Sequence, residues 1–485
     1  MSDMGLSIAA SGLAADTAEL DTASNNLSNI DTPGYAAEQV DLTPEAAAGP
    51  LGVGQGVVVG SVSELTDAVY EAGNVAAEGV QGAATQTNQV MSSVESIFPE
   101  PDATGIASQL STLWSDLSTL ASNANQVGAQ QAVVGAAQAL ATSISGSSAQ
   151  LSQLAASLQS EVGSGADDGG TLATANSLLT EVAQLNARIV AGTAGGQDVN
   201  ALSDESRSAV NQLASLLGVS ASTAASGSVS VYLNGVQLVG GDAAQSLSST
   251  GSAATANLAL VTANGVTVEA GGSIGANLTA VNSTIPGFAS QLNSVADSLA
   301  TSLNTLQANG MATNGDPGSA IAGAWAGAIL PDIFVNGGSA TTYTPSPADP
   351  DSAATIAVSP GLLATPSLIA TASAPSAGNS NVIGTPTLDG SNAQAMAALA
   401  SSATGPDVLY QSMIGSVGTQ AADATTASTT ATNLASTASN NLSSISGVNE
   451  NNEEVDVLAA QNAFQASSQV VSAITSCFQS LLQAV

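Results

Sequence analysis

The chain has 485 residues, 37 acidic and 2 basic side chains, a formal net charge of −35 and no histidine. The two cations are Arg188 and Arg207, so the sequence offers no imidazole for a triad or a metal site, no lysine for a P-loop or a Schiff base, and too few cations for a phosphate-binding groove. Only 8% of residues are charged, against 44% hydrophobic: the acidity comes from missing cations and not from extra carboxylates.

A surface built from Ser, Thr, Asn and Gln loses most of its net charge as carboxylates titrate near pH ~4, and an acidic working environment is the expectation this raises. The single Cys477 excludes an internal disulfide. No run of 18 apolar residues spans a membrane, and residues 1–15 lack the positive n-region of a cleaved secretory signal.

In chain order, Leu6, Leu13, Leu20 and Leu27 lie seven apart, with Ala9, Ala23 and Ile30 each three residues after a leucine and Asp16 as a polar intrusion. The spacing predicts a coiled-coil helix. It stops at Asp31-Thr32-Pro33-Gly34-Tyr35, a helix stop joined to a turn. The periodicity then predicts helices over 81–98, 106–120 and 134–162, a break over 163–170, and helices over 172–189 and 210–217. Near residue 218 the period changes to two. Val229, Val231 and Leu233, then Asn234-Gly235, then Val236 and Leu238 spell a hairpin with a type I′ turn. Asn264-Gly265 marks a second hairpin.

Helix returns over 274–306, with Pro286 as a boundary or kink. Residues 311–388 read as short strands and loops, and 392–399 and 409–442 as helices. The last segment mirrors the first. Val457, Phe464, Val471, Phe478 and Val485 lie seven apart, with Ala460, Ser467, Ile474 and Leu481 in companion positions. Residues 449–456 cap its start with acids.

An exposed apolar seam needs a partner, and each end offers the other. The predicted fold is mainly α with a β-rich insertion. It is a nested multidomain chain: a terminal coiled coil (1–35 with 450–485), a helical-bundle middle (36–217, 272–310 and 390–449), an outer β domain (218–271) and a Gly/Pro/Ser-rich region of short strands (311–389). A lone two-helix pair with so many small polar residues is marginal, so the ends are expected to order against neighbouring subunits.

The run Ser24-Asn25-Asn26-Leu27-Ser28-Asn29-Ile30-Asp31-Thr32-Pro33-Gly34-Tyr35 resembles the N-terminal signature of bacterial flagellar rod, hook and hook-associated subunits. The stretches Ser446-Gly447-Val448-Asn449, Glu453-Glu454 and Ala460-Gln461-Asn462-Ala463-Phe464-Gln465-Ala466-Ser467 resemble their C-terminal signature. The middle, from Gln131-Ala132-Val133-Val134 through Leu216-Leu217-Gly218-Val219-Ser220 and Thr284-Ile285-Pro286-Gly287-Phe288 to Leu388-Asp389-Gly390-Ser391-Asn392-Ala393, is similar to the flagellar hook-associated protein 1 family of hook–filament junction proteins. Basic residues common in that family's C-terminal helix are missing here.

The resemblance implies export without signal cleavage and an extracellular place on the flagellum. It also implies a ring of self-associated subunits adapting hook to filament. The implied partners are the hook protein, a neighbouring hook-associated or filament subunit and an export chaperone, with no nucleic acid, membrane insertion or cofactor. The residues expected to carry assembly are Leu6, Leu13, Leu20, Leu27, Asn25, Asn26, Pro33, Gly34, Tyr35, Val457, Phe464, Val471 and Phe478.

Other readings were weighed. A hook or distal rod subunit should be mostly β between its ends, unlike 106–217. An adhesin or surface-layer protein suits the hydroxylated surface but not heptads confined to both ends. An enzyme is the least favoured class. Asp167-Asp168 reads as a solvated turn, Cys477 as a packed small residue, Trp114 and Trp325 as packing residues, and Arg188 and Arg207 as ion-paired surface groups.

Overall fold

The computed structural model describes residues 2–32, 34–46, 54–102, 104–165, 169–337 and 341–483. Pro33, Asp167-Asp168, Val485 and the Leu481 side chain, all named in the sequence reading, lie outside this description. The chain begins with helix α1 (Ser2–Ser28), turns, and forms an antiparallel hairpin of β1 (Glu38–Pro44) and β2 (Val57–Glu64). The sequence reading placed no strand before residue 218. The alternation in Gln39-Val40-Asp41-Leu42 and the valines Val57, Val58, Val59 and Val62 carry the missed signal.

The middle is a helical bundle of α2 (Ala68–Ile97), α3 (Ile106–Ser122), α4 (Val127–Val162), α5 (Thr171–Ala194) and α6 (Asn200–Leu217). Helix α2 starts thirteen residues before the expected 81, because Asp67 caps it through hydrogen bonds from the Val69 and Tyr70 amides. Helix α3 buries Ile106, Leu110, Leu113, Trp114, Leu117 and Leu120, the row its spacing predicts. Helix α4 stops at Gly163, whose φ of +80° starts the expected break.

Helix α6 ends on Gly218 in the left-handed conformation. From there the chain builds two antiparallel sheets. One has the order β3-β4-β5-β6, formed by β3 (Ser220–Thr223), β4 (Val229–Leu233), β5 (Val236–Gly240) and β6 (Ala243–Ala244); the other is β7 (Leu247–Thr250), β8 (Ala259–Thr262) and β9 (Thr267–Val268). Positive φ at both Asn234 and Gly235 matches the expected type I′ turn, and β8 pairs with β9 across Asn264-Gly265. The insertion returns to the point it left. The Gly271 amide donates to the Leu217 carbonyl at 2.7 Å, and a Cβ on Gly218 would lie 2.9 Å from the Gly271 Cα, so only glycine permits this approach.

Helix α7 (Gly272–Thr279) runs through a π-helical segment, Ala280–Thr284, into α8 (Ile285–Ala308). Pro286 sits in the first turn after that segment, the irregularity its sequence position predicts. Residues 309–390 hold β10 (Gly310–Met311), β11 (Phe334–Asn336), short α9 (Ser352–Thr355), β12 (Ile356–Val358), α10 (Pro360–Ala364) and β13 (Ala372–Ser373). Asn392, at the start of α11 (Ser391–Ala397), ties this region down by donating to the Leu306 and Ala370 carbonyls at 3.1 and 2.8 Å. Helix α12 (Pro406–Ser446) packs along α2, and α13 (Glu450–Gln483) returns to α1.

One continuous hydrophobic cluster runs from α2 through the bundle into both outer sheets. Among the described residues, helices α1 and α13 contribute none to it. The chain ends therefore form a separate packing unit.

Candidate assembly interface

Helices α1 and α13 run antiparallel. A Cβ on Gly5 would lie 3.4 Å from Ile474 Cδ1, and one on Gly12 3.4 Å from Ser467 Oγ. Ser467 donates to Asp16 at 3.0 Å, and Asn26 donates to Glu453 at 3.1 Å. The register joins the row Gly5, Gly12, Asn26 to the row Ile474, Ser467, Glu453, with the heptad spacing intact. Buried apolar side chains in this pair are alanines: Ala9, Ala15 and Ala23 on α1 and Ala460 on α13.

The contact row on α1 is thus displaced by one residue from the leucine row. Leu6 is exposed, and Leu13, Leu20 and Leu27 are half-buried flank residues. On α13 the companion row Ala460, Ser467 and Ile474 faces α1, whereas Val457 and Val471 are half-buried and Phe464 and Phe478 are exposed. Small side chains let the two backbones approach, and large ones fit only on the flanks. Val455 and Leu458 project further out, 62% and 59% exposed.

The Asn-rich turn joins four elements. Asn26 is 1% exposed. Its Oδ1 accepts from the Tyr35 hydroxyl at 2.8 Å and the Glu38 amide at 2.9 Å, and its Nδ2 donates to the Glu38 carbonyl at 2.9 Å and to Glu453. Exposed Asn25 donates to Glu38 Oε2 at 3.1 Å. The sequence reading gave Tyr35 a place at a subunit boundary; in the single chain its ring is half-buried and its hydroxyl turned inward. Burial, then the Glu38 carboxylate, push that phenol well above its ordinary range.

On the hairpin side, Ser11 accepts from the Val57 amide at 3.3 Å, and Gly56, at φ +115°, has no room for a side chain against Ser11. The C-terminal end of α12 joins the same turn, with the Ala37 amide donating to the Ser446 carbonyl at 2.7 Å.

Arg207 fastens this region to the bundle, which corrects its reading as a surface residue. Its guanidinium donates to the Gly34 carbonyl at 3.0 Å, and pairs with Glu64 at 2.6 Å, Asp204 at 2.6 Å and Glu71 at 3.1 Å. Its side chain is only 15% exposed. Burial pushes Glu64 up to about 7, with Arg207 opposing, and Glu64 Oε1 is buried without a partner. Nothing in local sequence signals this cluster, since its members come from three distant segments. Arg188, by contrast, is exposed, 3.8 Å from Glu205.

Trp114 is buried and donates to Asp407 at 2.9 Å, and Trp325 packs against Gly327 and Gly384. Asn449 caps α13 by accepting from the Asn451 and Asn452 amides, as its position suggests. Cys477 is exposed rather than packed. Among the described residues, no group of three or more His, Cys, Asp or Glu could hold a metal, and no helix is long and apolar enough to cross a membrane.

Paired chain ends, a nested bundle and a β insertion budding from one point define a helix-dominated, nested architecture with its two ends together. Two family models match separate stretches. "Flagella basal body rod protein" covers residues 6–35, and "Flagellar hook-associated protein FlgK helical domain" covers 91–321. These matches support a flagellar hook-associated structural component. In fold it is similar to the flagellar hook junction protein FlgK from Burkholderia pseudomallei, with a TM-score of 0.60 at 19% identity, over 78% of this chain and 100% of that one. No curated relative matches the sequence.

Proposed function

We propose that the chain is the adaptor between hook and filament, and that it reaches this position by export without a cleaved signal and by self-association of its ends into a ring. The observation that carries this is the division of the terminal pair. The inner seam is made mostly of Gly, Ala, Ser and Asn, with Ile474 and Glu453, while Leu6, Val455, Leu458, Phe464, Val470 and Phe478 are more than a third exposed. Apolar side chains of that size on two long helices gain by burial against other subunits, at roughly 1.5–3 kcal/mol each. Hook protein and the adjoining hook-associated or filament subunit are the neighbours this position provides, and an export chaperone would shield the same flanks before assembly.

A hook or distal rod subunit is the alternative reading, and the long helices α3–α6 between the ends weigh against it. Deletion of the gene followed by electron microscopy distinguishes the two. Complete hooks lacking filaments, with filament protein shed into the medium, are expected. Truncated or absent hooks would contradict the adaptor reading and favour a hook or rod subunit.

A further inference from the structure

We propose that pairing of the chain ends is proton-linked: Glu19 and Glu453, set beside Asp16 and Asp456 in the α1–α13 contact, loosen the pair near neutrality and let it close in acid. The four groups lie in and beside the contact. Asp16 accepts from Ser467 across it, and Glu453 accepts from Asn26. Glu19, Asn26, Glu38, Glu453 and Asp456 line one crevice of about 600 Å³ between α1, β1 and α13. Neither helix contains a lysine or arginine, so no cation within the pair offsets the repulsion.

The surrounding elements add no compensation. Strand β1 brings Glu38, and the turn brings the Tyr35 phenol, which is bonded to Asn26. Strand β2 brings Glu64, whose counter-charge Arg207 is already shared with Glu71 and Asp204. The end of α12 brings Ser443, Ser444, Ile445 and Gly447, with no titratable side chain. Two features oppose the proposal: the N-terminus of α13 favours negative charge at Glu450 and Glu453, and the bond from Asn26 favours a charged Glu453. Glu19 lies on the other helix, outside both.

Burial, then Asp16 and Asp456, raise Glu19 above its ordinary value. Burial raises Glu453 too, with Asn26 opposing and Asp456 reinforcing. A carboxylate raised on pairing binds its proton more tightly in the paired state. Its contribution to stability is therefore full below the ordinary carboxylate range and is lost as pH rises through the raised value. Near neutrality the pair is weakest, and acid strengthens it. The inference concerns the chain's own ends and stands or falls independently of which flagellar position the subunit fills.

The test is hydrogen exchange on the purified full chain near pH 7 and pH 4.5, with protection factors corrected for intrinsic exchange. Protection of residues 5–26 and 453–474 is expected to rise at least about threefold on acidification. Raising salt at neutral pH should reproduce part of that rise by screening. The isosteric double variant Glu19→Gln/Glu453→Gln should be protected equally at both pH values. Asp21→Asn, on an exposed position of α1, should respond like the wild type. Protection of residues 172–189 in the same samples reports whether the bundle is folded. Flat or falling protection in the wild type overturns the proposal, and so does a pH response retained by the double variant. If the double variant does not fold, the wild-type pH and salt series decides alone: a rise in acid without any effect of salt counts against it.

Discussion

The bundle and the terminal pair are both long helices packed side by side, yet they are held by opposite means. In the bundle, Leu110, Leu140, Leu151, Leu172, Leu179 and Leu213 are essentially inaccessible and belong to one cluster that continues into the outer sheets. In the terminal pair the buried groups are alanines, Asn26 and Glu453, and the large apolar side chains are on the flanks. A unit that buries its leucines internally is complete as a single chain. A unit that buries alanines and leaves Leu6, Phe464 and Phe478 exposed keeps apolar surface that the proposed ring would cover.

That contrast can be broken at graded points. The largest effect is expected at the link between the two units. Arg207→Met leaves Glu64, Glu71 and Asp204 without their shared cation in a mostly buried site, and should cost about 3–5 kcal/mol, read by denaturant unfolding near neutral pH. Lowering the pH toward the ordinary carboxylate range should recover part of that loss. Glu64 is raised by burial, so its protonated form favours the fold and the destabilising charge disappears in acid.

Next comes Leu179→Ala in the bundle, expected to cost about 2–5 kcal/mol through a cavity in an inaccessible site, seen as a lower thermal midpoint. Asn26→Ala removes one side chain that serves the Tyr35 hydroxyl, the Glu38 backbone and Glu453. About 1–3 kcal/mol of local stability should be lost, measured as faster amide exchange at residues 35–40 with bundle protection unchanged. Smallest in the isolated chain is Phe464→Ser, expected within about 0.5 kcal/mol by unfolding. It should nonetheless impair incorporation into the flagellum in cells, because that flank is the surface left for neighbours. A large loss of monomer stability from Phe464→Ser would erase the distinction between the two units.

Much of this was legible in the sequence, and the failures have physical causes. The heptads at the two ends gave helices and their pairing, Gly163 gave the break, and Asn234-Gly235 gave the tight hairpin, because each rests on local periodicity or on one residue's backbone preference. On α1 the companion residues Ala9 and Ala23 are buried as their spacing predicts, but the leucine row is displaced by one position from the contact. Gly5, Gly12 and Asn26 repeat every seven residues just as Leu6, Leu13 and Leu27 do, and periodicity alone does not say whether large or small residues face the partner. The β1–β2 hairpin was missed because its strands alternate only briefly and a long connection separates them. Arg207 was misplaced because Gly34, Glu64 and Glu71 reach it from segments more than 130 residues away in sequence. The Asn-rich turn was recognised as a signature, but its reason, one buried amide joining α1, the turn, β1 and α13, is a tertiary fact.

The most direct test of the division between inner seam and outer flank is cysteine cross-linking in a Cys477→Ser background. Gly12→Cys with Ser467→Cys should form a disulfide within one chain, in the monomer and in the assembled flagellum alike. Phe464→Cys with Leu6→Cys should yield bridges between chains after assembly and none within the monomer. If the first pair bridged only between chains, or the second gave no bridge between chains after assembly, the faces assigned to these helices would be wrong and the account would fail.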